Sequence, residues 1–397
     1  MISKYFRHDK MKKVNILILI ILCLNLFIIS IFLCGGICLN KKAPFIPLDD
    51  KALIANIGPI SCLNNGKWIR CFRTHDGTIY FRGQFKSFSG GKTVVPQKDI
   101  NVEEINAEAE RAVISMNGLF YATGGYARFL KPGMYSVAAW RSTDELKTIK
   151  NEEAFVYVPE GPQRNREKGE WYGLYVYRTI LQMPDGSWLM TMYGNFEEDR
   201  LPPQDRDSQQ ETKFMMRTFI VTSTDEGRSW HFLSSVAVPK SGEPIGEGFV
   251  EPAIARLNDG RLLCIMRTGH HYPLYASWSA DSGKTWTPPL YTGLDRACDP
   301  CLIKLRDGRV ALSWGRRYPE GWSKISSEGD QSLFKYPGEG YTNLAISDDG
   351  GAKWTTSKIA QRTGSCYSTI FEVESNVIFF QVDQWYWRVK LKSKTSS

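Results

Sequence analysis

Short apolar runs, each interrupted by a two-residue polar turn, recur along most of the chain. The turns are Asp76-Gly77, Asn117-Gly118, Asp185-Gly186, Asp259-Gly260 and Asp307-Gly308. A sixth, Ser375-Asn376, lies between Ile370-Phe371 and Val377–Phe380. Asp-Gly or Asn-Gly between apolar runs predicts a β-hairpin, because the turn needs a positive φ that Gly adopts without steric cost. A second unit alternates with these hairpins: Ser223-x-Asp225-x-Gly227-x-x-Trp230, Ser279-x-Asp281-x-Gly283-x-x-Trp286 and Ser347-x-Asp349-x-Gly351-x-x-Trp354. A fourth copy begins at Ser142 and Asp144 but lacks the Gly and the Trp. Ser and Asp side chains bond nearby backbone N–H groups, Gly supplies positive φ, and the Trp folds back as a plug, so each copy predicts a turn with its own clasp. Only Val102–Ala112 has helical spacing, with Val102, Ile105, Ala109 and Ala112 on one face.

Multi-strand repeats of this length predict an all-β, six-bladed β-propeller with one hairpin per blade, about 55 residues each. A doubly wound α/β fold would need many more helices. The propeller is expected over residues 61–397, preceded by a linker at 43–60 and a separate N-terminal segment at 1–42.

That segment changes the picture of where the protein works. Val14 to Leu39 carries no charge, and a run of that length is enough to cross a ~30 Å hydrocarbon core as a helix. Lys4, Arg7, Lys10, Lys12 and Lys13 against Asp9 give residues 1–13 a charge of +4, half of the whole chain's +8. The bias places the start in the cytoplasm and everything after Lys41 outside. A signal anchor and a long cleaved signal peptide both fit, and either way the protein is exported: anchored in the membrane, or secreted or periplasmic. The remaining charge forms no basic stripe, which argues against a nucleic-acid partner. Aromatic content of 13% suits stacked sheets or a sugar-binding surface. A monomer is expected.

Cys62, Cys71, Cys264, Cys298, Cys301 and Cys366 fall in the exported part, where disulfides form, although spacing does not prescribe the pairs. Cys298-Asp299-Pro300-Cys301 has the spacing of a redox or metal pair. No second Cys/His pair at zinc spacing accompanies it, so buried strand residues or a structural disulfide are expected there. No metal and no cofactor are expected.

Counting eight residues back from each hairpin turn reaches the start of the innermost strand of each blade, on the rim of the central funnel. The positions are Trp68, Ala109, Tyr177, Glu251, Asp299 and Tyr367. Eight residues after the Asp259 turn stands Arg267, and Arg316 and Arg317 hold a similar place in the next blade. Carboxylates, phenols and arginines far apart in sequence are thus expected to converge on one concave site.

These features resemble the sialidase (neuraminidase) superfamily, over roughly residues 60–390. The Ser-x-Asp-x-Gly-x-x-Trp copies are similar to its Asp boxes, which in the family lie away from the active site. Gly248-Phe-Val-Glu251 through Arg267 resembles the fourth-blade segment carrying a catalytic Glu and one arginine of the carboxylate clamp. Gly364-Ser-Cys-Tyr367 resembles the sixth-blade start carrying a tyrosine nucleophile. The resemblance implies Tyr367 as nucleophile, Glu251 as its base and Arg267 in the clamp. Tyr177 on the rim and Glu247, just before Glu251, are expected to contact the substrate from their positions alone. The family's Arg-Ile-Pro is replaced by Lys67-Trp68-Ile69-Arg70, where Lys67 or Arg70 stands in. Lys335–Tyr341 lacks the family's third arginine, leaving that place to Arg316 or Arg317. Gly124–Met134 contains no carboxylate to match the family's acid/base Asp. Asp299 is the rim candidate for the proton donor, with Asp99 more remote and Glu197, Glu198 and Asp199 on another loop.

The expected function is therefore a sialidase-like hydrolase that removes a terminal sialic acid or other acidic sugar from a glycan. The alternatives are a glycan- or partner-binding propeller without chemistry, and a uronic-acid hydrolase or lyase on the same scaffold.

Overall fold

The structure is a computed structural model. It describes residues 46–47, 53–57, 61–62, 71–73, 78–81, 85–96, 112–115, 117–159, 173–204, 212–243, 245–269, 272–294, 298–315, 340–362, 368–382 and 385–393. The apolar run Val14 to Leu39 lies outside these residues, as does all of the predicted helix except Ala112, which instead opens a strand, Ala112–Ile114. No described helix is long and apolar enough to cross a membrane; the described elements are all strands.

The strands form five sheets, mostly antiparallel meanders in chain order. One comprises Cys71–Arg73, Ile79–Phe81, Phe85–Ser87 and Val95–Pro96. Another comprises Val250–Arg256, Leu262–Arg267, Tyr275–Ser279 and Leu290–Tyr291. The next runs from Cys298–Lys304 through Val310–Gly315 and Gly340–Ser347 to Thr355–Arg362, with Ile46–Pro47 on its outer edge. In the last, Ser368–Glu374, Val377–Val382 and Trp385–Leu391 are completed by Ile54–Ile57, so an early strand pairs with the end of the chain.

The largest sheet joins two meanders. Ala112–Ile114, Phe120–Thr123, Met134–Ser142 and Lys150–Tyr157 make the first; Leu174–Gln182, Trp188–Gly194, Arg217–Ser223 and Ser229–Ala237 make the second. Lys150–Tyr157 pairs in parallel with Ser229–Ala237. The extra strand Tyr126–Lys131 pairs with both Met134–Ser142 and Leu174–Gln182, so seven strands close into a hydrogen-bonded ring. Successive sheets pack face to face: Leu263, Ile265 and Ala276 share one buried cluster with Leu302, Val310 and Leu312 of the following sheet.

The hairpins lie where the Asp-Gly and Asn-Gly signals put them, but their loops are one residue longer than the expected two. Gly186 N–H donates to Met183 O at 3.0 Å and Met183 N–H to Ser187 O at 2.8 Å, with Gly186 at φ 86°. Asn117-Gly118, Asp259-Gly260 and Asp307-Gly308 repeat that pattern. It is a type I turn followed by a left-handed Gly, in which the Gly ends the turn rather than forming its centre. The Asp76-Gly77 turn lies outside the described residues.

The Ser and Asp bonds of all three clasps form as expected, and the Trp bond forms in the first two. Ser223 Oγ accepts Gly227 N–H at 2.8 Å, Asp225 Oδ1 accepts Ser229 N–H at 2.9 Å, and Trp230 Nε1 donates to Gly227 O at 3.0 Å. The Ser142 copy keeps the Ser and Asp bonds, without the Trp, and with Leu146 in the Gly position, held at φ 68°. A fifth copy stands at Ser87, where Gly91 N–H donates to Ser87 Oγ and Ser89 replaces the Asp, accepting Thr93 N–H at 2.9 Å.

Candidate active site

Three innermost strands begin with the same distortion. In Val250–Arg256 the pairing slips between Val250 and Ala253; in Cys298–Lys304 it slips between Cys298 and Cys301. In Leu174–Gln182 the slip is wider, between Val176 and Ile180. Each bulge holds one non-Gly residue in the left-handed region: Glu251 at φ 46°, Asp299 at 54° and Arg178 at 56°. Such a conformation costs about 1–3 kcal/mol and persists only where surrounding contacts over-determine it. A bulge also re-aims its side chain, and here the three side chains are aimed at one another.

Asp299 is the hub. Its side chain, 1% exposed, accepts the Arg178 guanidinium fork: Nε donates to Oδ1 at 3.1 Å and Nη2 pairs with Oδ2. The Tyr177 hydroxyl donates to the same Oδ1. Its backbone N–H donates to Glu251 Oε2 at 2.9 Å. Arg178 reaches a third sheet through Nη1, which donates to Ser368 O at 2.9 Å. On the far side of Glu251, Arg267 holds Oε1 at 2.7 Å through Nη1 and Glu247 Oε1 at 2.5 Å through Nη2. All of these residues are buried. Charges this deep survive only as such mutually bonded sets, because an unpaired buried ion is strongly penalised.

Tyr193 borders the set. Its ring stacks on Tyr175 at 4.8 Å and meets Tyr177 edge-on at 5.8 Å. Burial pushes its phenol well above its ordinary range, and the charge of Glu251 adds to this, followed by Tyr175 and Glu247, with Arg267 opposing. Tyr193 is therefore held in its neutral form at the edge of the acids.

The structure thus brings together Glu251, Asp299, Arg267, Glu247 and Tyr177. Tyr367, Arg70, Arg316 and Arg317 lie outside the described residues, as do Lys67, Asp99, Trp68 and Ala109. Asp199 belongs to a separate pairing: Arg217 Nε donates to Oδ2 at 2.8 Å, and Arg217 also meets Glu198 at 2.9 Å. Two members of the cluster escaped the sequence reading, Arg178 and Tyr193. Arg178 is missed because the longer bulge in its strand shifts the count from the turn by one, onto Tyr177. Cys298 is disulfide-bonded whereas Cys301 keeps a buried thiol outside any disulfide, so the Cys-x-x-Cys spacing is not a pair with itself. No group of His, Cys, Asp or Glu among the described residues is placed to hold a metal ion.

Residues 119–374, well over half of the chain, match the BNR repeat-like domain family. The chain belongs to that family. Three solved structures show how its fold relates to others. A protein of unknown function from Dyadobacter fermentans DSM 18053 superposes with a TM-score of 0.53 at 17% identity, covering 89% of this chain and 99% of its own. The Hadza microbial sialidase gives 0.52 at 16% identity, over 82% of this chain and 65% of its own. The Penicillium chrysogenum alpha-L-arabinanase, solved with arabinobiose, gives 0.51 at 10% identity, over 87% and 98%. At these identities the likeness is one of fold. No curated protein matches the chain. For this BNR repeat-like chain the fold is thus sialidase-like, with propeller-like sheets whose innermost strands carry the buried acid–arginine set.

Proposed function

We propose that the protein is an exported, sialidase-like exo-glycoside hydrolase, and that its five sheets are six blades of a propeller, the largest supplying two. The observation that carries this reading is Glu251, held on one side by Arg267 and on the other by the Asp299 N–H, at the start of an innermost strand. A carboxylate fixed in this way is pre-oriented for proton transfer.

The chemistry assigned to it is retaining hydrolysis. Sialic acid carries a carboxylate on its anomeric carbon, so a carboxylate nucleophile would be repelled, whereas a neutral phenol is not. In the proposed step the Tyr367 oxygen attacks the anomeric carbon while Glu251 accepts the phenolic proton. The glycosidic C–O bond breaks as the leaving oxygen takes a proton from a solvent water. A second water then displaces Tyr367, giving one proton to the hydroxide left behind, while Glu251 returns its proton to the phenol. Arg70, Arg316 and Arg317 are proposed to hold the sugar carboxylate together with Arg267. With both oxygens engaged by Arg178 and Tyr177, Asp299 fits a positioning role better than the proton-donor role expected from its rim position. The charge-free run Val14 to Leu39 supports export to the outer side of a membrane.

One observation favours a second reading. Arg267 already engages Glu247 and Glu251, which leaves it less to offer a sugar carboxylate. That would suit a hydrolase of neutral sugars on the same scaffold. The test is release of a fluorescent aglycone from an aryl α-sialoside by the full chain, with Tyr367→Phe alongside. Turnover lost in the variant supports the sialidase reading. Turnover of neutral aryl glycosides alone transfers it to the second reading, and glycan binding without any turnover overturns both.

A further inference from the structure

A row of tyrosines leads from solvent to the acid cluster, and the chemistry above does not use it. Tyr126 lies opposite Tyr175 across one strand pair, and Tyr175 lies opposite Tyr193 across the next. Ring centroids are 5.4 Å and 4.8 Å apart, and Tyr177, two residues along from Tyr175, meets Tyr193 at 5.8 Å. Exposure falls along the row: Tyr126 is 48% exposed, Tyr175 and Tyr193 are half-buried, and Tyr177 is 6% exposed with its hydroxyl on Asp299. Tyr126 sits on the extra strand that the Gly124–Met134 segment adds beside Leu174–Gln182. That segment brings an aromatic ring, not a carboxylate, to this edge.

We propose that Tyr126, Tyr175 and Tyr193 form a second sugar subsite, which receives the ring on the leaving side of the bond being cleaved. The proposal rests on the glycosidase reading of the adjoining cluster. A pyranose offers a C–H face and a rim of hydroxyls. An open tyrosine ring takes the first and phenol oxygens bond the second, the combination by which apolar sites with a few polar groups orient small ligands. The row's continuity with Glu251 and Asp299 sets its occupant: a ring lying on it belongs to the same oligosaccharide whose terminal sugar is at the acids.

The experiment compares two substrates of the full chain, sialyllactose and sialyl fluoride, whose leaving group has no ring to seat. Tyr126→Ala and Tyr175→Ala should lower kcat/KM for sialyllactose about 3- to 10-fold, mainly through KM. Sialyl fluoride should be turned over as before, and Tyr291→Ala, an exposed tyrosine outside the row, should alter neither. An undiminished rate on sialyllactose, or equal losses on both substrates, overturns the subsite. If the wild type turns over neither substrate, the sialidase reading fails, and the row is then read by titrating intrinsic fluorescence with sialyllactose. Saturation that Tyr126→Ala weakens keeps the row as a sugar site; no saturation, or saturation indifferent to Tyr126, removes it.

Discussion

Replacing Arg178 by Met removes one half of a buried ion pair and leaves the other half where it was. Asp299 is 1% exposed and Arg178 3%, so water cannot replace the lost guanidinium without opening the centre of the molecule. Breaking such a pair from one side costs about 3–5 kcal/mol, because a buried carboxylate loses its compensating charge. The Ser368 carbonyl also loses its 2.9 Å donor, a further contribution of about 1 kcal/mol. Part of this is offset by the Tyr177 hydroxyl, which still donates to Asp299. The net expectation is about 3–5 kcal/mol. Urea unfolding followed by tryptophan emission measures it: with a slope of about 3 kcal/mol per molar, the midpoint should fall by about 1–1.7 M. The double variant Arg178→Met/Asp299→Asn removes the stranded charge and should recover most of the loss, since Asn tolerates the left-handed backbone that Asp299 adopts. A midpoint shift under about 0.3 M in the single variant, or a double variant no better than the single, would refute the argument that the pair is held by mutual compensation.

Two further outcomes follow from local geometry. The Thr285 hydroxyl and N–H hold Asp281 down to about 2, and hydrogen bonds lower Asp144 in the same way. A depressed folded pKa gives stability that is present above the unfolded value near 4 and lost as pH falls toward 2; Asp281→Asn should flatten that part of the stability–pH curve, seen by thermal unfolding at stepped pH. Gly248, at φ 104°, crosses the Met216 backbone so closely that a Cβ would overlap its carbonyl oxygen and nitrogen. Gly248→Ala should therefore destabilise by about 1–3 kcal/mol and displace Glu247 and Glu251, lowering kcat more than stability alone explains; unchanged kcat would contradict that coupling.

How much of this was readable in advance depended on how local the cause was. Turns and clasps are set within eight residues, so the Asp-Gly signals and the three complete Ser-x-Asp-x-Gly-x-x-Trp copies mark their structures directly. The clasp at Ser87 was hidden because Ser89 does the work of an Asp with a hydroxyl, and no Trp follows. The rim register located Glu251 and Asp299 because their bulges have equal length. It overshot Arg178 by one residue, onto Tyr177, because that bulge is longer, and bulge length is a property of the pairing, not of one strand. Tyr193 carried no signal of its own: only the sheet places it beside Glu251.

The parallel pairing of Lys150–Tyr157 with Ser229–Ala237 has a consequence for how the molecule comes apart. Elsewhere each sheet ends, among the described residues, in a strand with one unpaired edge, but here the two outer strands of the meanders are sealed against each other. Opening one exposes the hydrogen-bonding groups of the other, so the ring of seven strands should exchange its amide protons as a single cooperative block, slower than the sheets on either side.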